Sequence, residues 1–325
     1  MMEFGVSDYQ APKWLPSGHL QTIWPAQYMA RPQVSYRREI WDTPDGDVVA
    51  IDLIHPDLPS GVPTLVHFHG LEGSSQSHYA LALMQTCQNH NIRGVVVHYR
   101  GCGGIENKKP RAYFAADASE LDWIFRRIKT RWPNSSISAM GVSLGANNLL
   151  YWAGTREEEA SKWVDFIVAV CSPLDLVRSS QCFSSGITRL YEWNFLRTLR
   201  PKAKRMNQQF PGLLSDEKID SIHSLWDFDD CVTAPLHGFC NALDYLTRCS
   251  SKLYLGGIRV PTLLLNSRND PFLKAECFPK PEELSGFIKA EFPNEGGHCG
   301  FPQGSFPGSL GYLPMRTLRF ITCGE

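Results

Sequence analysis

The run Gly141-Val-Ser-Leu-Gly145 sits between an apolar stretch, 137–140, and a segment from Leu144 through Leu149-Leu150-Tyr151 that can open a helix. A G-x-S-x-G pentapeptide in that strand-to-helix setting imposes a sharp turn. Gly141 and Gly145 leave room for it, and the serine between them is pushed into a strained backbone position. The turn exposes the Ser143 hydroxyl and aims backbone N–H groups of a helix N-terminus at any charge developing beside it. Alone, the pentapeptide also fits a plain Gly-Ser turn between two elements.

What separates the readings lies downstream. Residues 261–265 form a short buried strand that runs into Asn266-Ser-Arg-Asn-Asp-Pro271, and 287–292 form another that runs into Pro293-Asn-Glu-Gly-Gly-His298. An acid and a histidine therefore follow successive strands, in the order serine, aspartate, histidine, which is the chain order of the α/β-hydrolases. A serine hydroxyl needs a base within reach, and that base needs an acceptor to fix its tautomer. His298 suits the base role through its Gly296-Gly297 approach, whereas His19, His55, His67, His90 and His237 have no comparable loop. Asp270, before Pro271 at a strand exit, is the favoured acid. Asp229 and Asp230 are alternatives that could instead cap a helix or pair with an arginine, and Glu295 lies too close in chain to His298. The oxyanion donors expected are the Leu144 N–H and, from the turn His69-Gly-Leu-Glu-Gly73, the Leu71 N–H. Glu72 in that turn is expected to point away and pair with Arg100. No metal is expected, because His67 and His69 alternate on a strand without third and fourth ligands at usual spacing. No cofactor is expected either: Gly101-Cys-Gly-Gly104 lacks the lysine and serine of a phosphate loop.

Strands at 34–41 and 48–55, joined through Pro44-Asp-Gly46, precede one at 64–69, a helix at 79–89, a strand at 94–99 and a helix at 117–128. With the nucleophile strand and three later ones, the alternation predicts a mostly parallel sheet of about eight strands covered on both faces. Between 174 and 235 the periodicity changes, and the segment reads as an irregular helical insertion ahead of a late helix at 236–246. Placed there, it would lie over the site as a lid. The division expected is 1–173 and 235–325 for the core and 174–234 for the lid. Leu190, Tyr191, Trp193, Phe195 and Leu196 are expected to supply an apolar pocket, with Arg197, Arg200, Lys202 and Arg205 as a cationic rim.

A chain of 325 residues with a formal net charge of -1 has no basic field to support nucleic-acid binding. The N-terminal residues lack a basic and an apolar region, and the apolar run 166–171 is far short of the roughly 20 residues needed to cross a membrane. No integral membrane segment is expected, although peripheral lipid contact stays open, and a monomer or a dimer fits equally. Ten cysteines without a C-x-x-C pair read as reduced thiols of a cytoplasmic protein.

Gly18-His-Leu-Gln-Thr-Ile-Trp-Pro25, His69-Gly-Leu-Glu-Gly-Ser74, Arg100-Gly-Cys-Gly-Gly104, Gly141-Val-Ser-Leu-Gly145 and Gly296-Gly-His-Cys-Gly-Phe301 together resemble the YheT-like, or EMB8-like, branch of the α/β-hydrolases. The likeness runs from Gly18 to about Gly311. It implies an α/β-hydrolase fold and carboxylic ester hydrolysis, with the nucleophile on Ser143, the acid on Asp270 and the histidine on His298. Where the family often carries two adjacent aspartates, this chain has Asn269 first, leaving Asp270 as the one carboxylate of the pair. The expected substrate is a small-molecule ester of short-to-medium acyl length, cleaved through an acyl-serine. Acyl transfer or thioester hydrolysis would use the same three residues, and a non-catalytic binding protein is the remaining alternative.

Overall fold

The computed structural model describes residues 4, 5, 7–184 and 186–324. Its strands are β1 Arg37–Asp42, β2 Val48–Ile54, β3 Thr64–Phe68, β4 Arg93–Val97, β5 Ile137–Val142, β6 Phe166–Val170, β7 Thr262–Leu265 and β8 Ile288–Glu291. They form one sheet in the order β1-β2-β4-β3-β5-β6-β7-β8. β2 runs antiparallel to both β1 and β4, and every other neighbouring pair is parallel.

A parallel sheet must be covered on both faces, so its strands read as continuous apolar runs whose side chains alternate between two cores. Val66 and Phe68 of β3 enter one core, and Leu65 enters the other. On the first face lie α3 Ala118–Arg131 and α4 Leu144–Arg156; on the second lie α2 His78–Asn89 and α11 Tyr312–Cys323. Leu121, Ile124, Phe125 and Ile128 of α3 are buried at helical spacing. Asp117 caps that helix by accepting the Glu120 N–H at 3.2 Å. A further helix, α1 Gly18–Gln27, opens the fold.

Between β6 and β7 the chain leaves the sheet. The segment comprises α5 Leu176–Ser180, α6 Thr188–Gln209, α7 Asp216–Asp220, α8 Leu225–Phe228, a π turn Asp229–Thr233, α9 Ala234–Leu236 and α10 Ala242–Arg248. Leu196, Ala203, Ile219, Ile222 and Val232 give it a small core of its own, and it roofs the sheet as a helical lid. The late helix expected at 236–246 starts only at Ala242. Gly238, at φ +74, breaks the run, and Asn241 caps the new helix by accepting the Asp244 N–H at 2.9 Å.

Candidate active site

Ser143 follows β5 directly and adopts φ 55, ψ −119, the strained turn that the pentapeptide requires. Its N–H donates to Val170 O at 2.8 Å, which fixes the turn against β6. A Cβ on Gly141 would stand 2.4 Å from Gly145 O, and one on Gly145 would stand 2.3 Å from Phe68 O. Only glycine permits the backbone to pass that closely.

The three residues anticipated from loops 155 and 28 positions apart meet here. His298 Nε2 lies 3.0 Å from Ser143 Oγ, and His298 Nδ1 lies 2.7 Å from Asp270 Oδ2. A carboxylate can only accept, so Nδ1 carries the proton and Nε2 is left to accept the serine hydroxyl. Asp270 is buried, and its Oδ1 accepts the Phe272 N–H at 2.8 Å. The Phe272 ring then packs on the imidazole at 4.3 Å between centroids. The alternative acids are elsewhere: Asp230 Oδ1 accepts the Ala242 N–H at 2.9 Å, and Asp229 accepts the Thr233 hydroxyl at 2.8 Å.

Leu71 and Leu144 line the same cavity as Ser143 and His298. Leu144 is the first residue of α4, where the N–H has no acceptor within the helix. Around Leu71 the loop is pinned by neighbours: Gly70 N–H donates to Tyr79 Oη and Glu72 N–H to Tyr113 Oη, each at 3.1 Å. His69 Nδ1 donates to Gly70 O at 2.8 Å while Nε2 accepts the Tyr99 N–H at 3.3 Å. Burial lowers His69 and His67 to about 3, so both are neutral, His69 as a strut of this loop and His67 within β3, bonded to Met140 O. Among the described residues one soft-ligand group forms, Cys171, His298 and Cys299. Both His298 nitrogens are already committed, and burial raises both thiols, which disfavours the thiolates a metal needs.

Glu72 does not pair with Arg100. Arg100 is enclosed by Asp45, Asp47 and Glu120, while Glu72 Oε1 takes Lys202 Nζ from the lid at 2.7 Å and the Tyr113 hydroxyl at 2.9 Å. The lid face also differs from expectation. Phe195, Leu199, Ala203 and Met206, at helical spacing, line the cavity with Lys202 and Arg205. Leu190 and Trp193 lie on the opposite side, 67% and 60% exposed, where Arg197 stacks on Trp193 and, with Arg200, borders an outer groove. Two of the four expected rim cations therefore reach the site.

The function of Gly18–Pro25 had no signal in composition. In the fold, α1 lies against both loops that carry Asp270 and His298. Thr22 Oγ1 accepts the His298 N–H at 2.8 Å, and the fully buried Gln21 accepts from Gly296 N at 2.7 Å and from Asn269 Nδ2 at 2.9 Å. Asn269 in turn accepts the Gly297 N–H at 3.0 Å. A Cβ on Gly18 would stand 1.9 Å from Asn269 O. Gln21, Thr22 and Asn269 thus bind the acid loop to the histidine loop, and the only sequence sign of it was the unexplained motif itself.

Among known proteins, Escherichia coli (strain K12) YheT is 33% identical over 94% of this chain and 90% of its own length. Phospholipase ABHD3 of Homo sapiens is 24% identical over 96% of this chain and 78% of its own. A solved Pyrococcus furiosus esterase, Pf2001, superimposes with a TM-score of 0.54 at 16% identity, over 91% of this chain and 97% of the other. The family described as alpha/beta hydrolase fold matches residues 63–305. With the eight-stranded sheet, the strained serine turn and well over half the chain matched, this protein belongs to the α/β-hydrolase fold family and is related to the YheT and ABHD-type proteins.

Proposed function

We propose that the protein is a serine esterase of the YheT-like branch that cleaves carboxylic esters through an acyl-Ser143 intermediate. The observation that carries this reading is the continuous relay from Ser143 Oγ to His298 to Asp270, at 3.0 and 2.7 Å. As Oγ attacks the ester carbonyl carbon, His298 Nε2 takes the hydroxyl proton, and Asp270 balances the imidazolium that results. The Leu71 and Leu144 N–H groups meet the negative charge that moves onto the carbonyl oxygen. Collapse of the tetrahedral species breaks the bond to the alcohol, which leaves with the proton from His298. Water then repeats the two steps on the acyl-enzyme, releasing the acid and restoring Ser143.

The lid, taken as 174–234 between core segments 1–173 and 235–325, supplies the apolar wall. A cavity of about 220 Å³, against ~150 Å³ for one that admits benzene, supports short-to-medium acyl chains. A monoacylglycerol lipase of Saccharomyces cerevisiae is 25% identical over 74% of this chain and 55% of its own length, which supports an ester substrate with an aliphatic acyl group. No helix of the described residues is long and apolar enough to cross a membrane. All ten cysteines are free, seven of them buried, which supports a reducing compartment such as the cytoplasm.

The test is p-nitrophenyl butyrate turnover and covalent labelling by a fluorophosphonate. Both are expected to vanish in Ser143→Ala with the circular dichroism spectrum unchanged; retained turnover would sink the mechanism. An acyl series from acetate to palmitate, with matched alcohol and thiol leaving groups, then fixes the class. A maximum at octanoate or shorter is expected. A maximum at laurate or longer on emulsified substrate makes it a lipase, and faster turnover of acyl-CoA makes it a thioesterase.

A further inference from the structure

The Asp229 carboxyl, in the cavity beside Ser143, has no part in the ester chemistry proposed above. Asp229 starts the π turn between α8 and α9, and it lines the same cavity as Ser143 and His298. Its neighbour Asp230 faces the other way, onto the Ala242 N–H. The turn is closed by an N–H from Ala234 to Asp229 O, five residues back. Asp229, bonded to the Thr233 hydroxyl four residues on, is directed into the cavity. Single π turns of this kind recur at functional sites.

Asp229 Oδ1 accepts the Thr233 hydroxyl at 2.8 Å, and among the described residues Oδ2 takes no hydrogen bond. Burial pushes the carboxyl up to about 7. The groups that titrate beside it, Tyr245 on α10 and Cys249 just after it, are themselves held protonated by burial. Cations that line the cavity are committed elsewhere: Lys202 to Glu72, Arg100 to Asp45, Asp47 and Glu120, and Arg205 to Glu106 at 4.0 Å. Around Asp229 the wall is otherwise apolar, with Leu225, Phe228 and Val232 from the lid and Leu246 from α10. Leu144, next to Ser143, packs in the same cluster as Leu176, Tyr245 and Leu246, so an apolar wall leads from the serine toward Asp229. The alcohol leaves with a proton from His298, on the side walled by Phe272. In that reading the wall between Leu144 and Asp229 is left for the acyl chain.

We propose that Asp229 and Thr233 form a subsite for a hydroxyl group on the acyl chain, so that hydroxylated acyl esters are preferred over unsubstituted ones. The inference rests on the acyl-serine reading above. An aliphatic chain along this wall leaves Oδ2 facing only CH₂ groups, and a polar atom stripped of partners in an apolar wall is unfavourable. A hydroxyl both donates and accepts, and so serves the carboxyl whichever proton it carries. Sites with a buried hydrogen-bonding group discriminate against the analogue that lacks the matching group far more sharply than apolar pockets discriminate by size.

The experiment separates binding from turnover. Ser143→Ala is titrated calorimetrically at pH 6 with methyl octanoate and with methyl hydroxyoctanoates bearing the hydroxyl at successive carbons. One or two positions are expected to bind about 10-fold more tightly than the unsubstituted chain. In the Ser143→Ala background, Asp229→Asn keeps most of this preference because an amide still donates and accepts, and Asp229→Leu abolishes it. Equal binding of the plain chain and every isomer, or a preference that survives Asp229→Leu, overturns the subsite. If the leucine variant does not fold, the parent and the asparagine variant still decide it: no preference in the parent, or its complete loss in Asp229→Asn, counts against the proposal. Ester turnover by Ser143→Ala itself would instead overturn the acyl-serine reading, independently of the binding result.

Discussion

The proposed relay from Ser143 to His298 and Asp270 holds only while two loops from the far end of the chain keep still, and α1 supplies residues that hold them. Thr22 makes one bond to the histidine loop, from the His298 N–H to Oγ1. Thr22→Val preserves the shape and removes that acceptor, leaving a backbone donor unpaired at a cost of about 1–3 kcal/mol. Because the loss falls on the geometry of His298, kcat is expected to drop about 10-fold with KM nearly unchanged; an equal rise in KM instead would assign Thr22 to substrate binding. Thr22→Ser restores the acceptor and is expected to recover most of the rate. Gly18→Ala is a harsher change. Its Cβ would meet the Asn269 carbonyl at 1.9 Å, so the acid loop must shift, and ester turnover is expected to fall by more than the melting temperature would suggest.

At the next level up, α6 is tied to the loop that presents Leu71 through one ion pair, Lys202 to Glu72, on side chains 28% and 8% exposed. Burial works against the lysine charge, yet Cys102 and Glu72 beside it hold the ammonium above its ordinary value. Lys202→Met strands the Glu72 carboxylate one residue from Leu71, the proposed oxyanion donor, where a negative charge opposes the transition state. A loss in kcat/KM of roughly 10–100-fold is expected. Adding Glu72→Gln is expected to return part of it, and a double-mutant cycle measures the coupling, with additive effects disproving the link. These elements also mark what was legible in the sequence. Ser143, Asp270 and His298 each sit at a strand exit with a local signature, and the strands were placed to within about three residues because buried parallel strands are continuous apolar runs. The partner of Glu72 was not legible, since it depends on how a lid helix lies on the sheet. The inward face of α6 was misjudged because its aromatic residues cluster in the first half, while helical spacing sends Leu199, Ala203 and Met206 inward and Leu190 and Trp193 out. Gln21 and Thr22 gave only an unexplained motif.

Across the molecule, stability should carry the imprint of Asp229. Its value rises from 3.8 to about 7 on burial, so the folded chain holds this proton more tightly than the unfolded one. By linkage its contribution is full below about pH 4, declines as pH rises toward 7, and is flat above. Asp229→Asn is expected to remove a decline on the order of 2–4 kcal/mol, read as a urea midpoint that changes less between pH 5 and pH 8 than in the parent. The buried Asp52 has the opposite sign. Burial alone would raise it, but Arg38, His98 and Ser75 hold it well below the carboxylate range. Its contribution is present above about pH 4 and lost as pH falls below, and Asp52→Asn should blunt acid unfolding. The bond between Gln21 and Gly296 spans 275 positions. At roughly 5–20 residues per second of synthesis, a ribosome needs about 15–55 s between making the first partner and the second. Until residue 269 is made the α1 segment has neither of the loops it binds, and the serine turn, complete by the middle of translation, waits first for Asp270 and then for His298. A nascent chain stalled before residue 296 is expected to carry a folded nucleophile strand and no esterase activity.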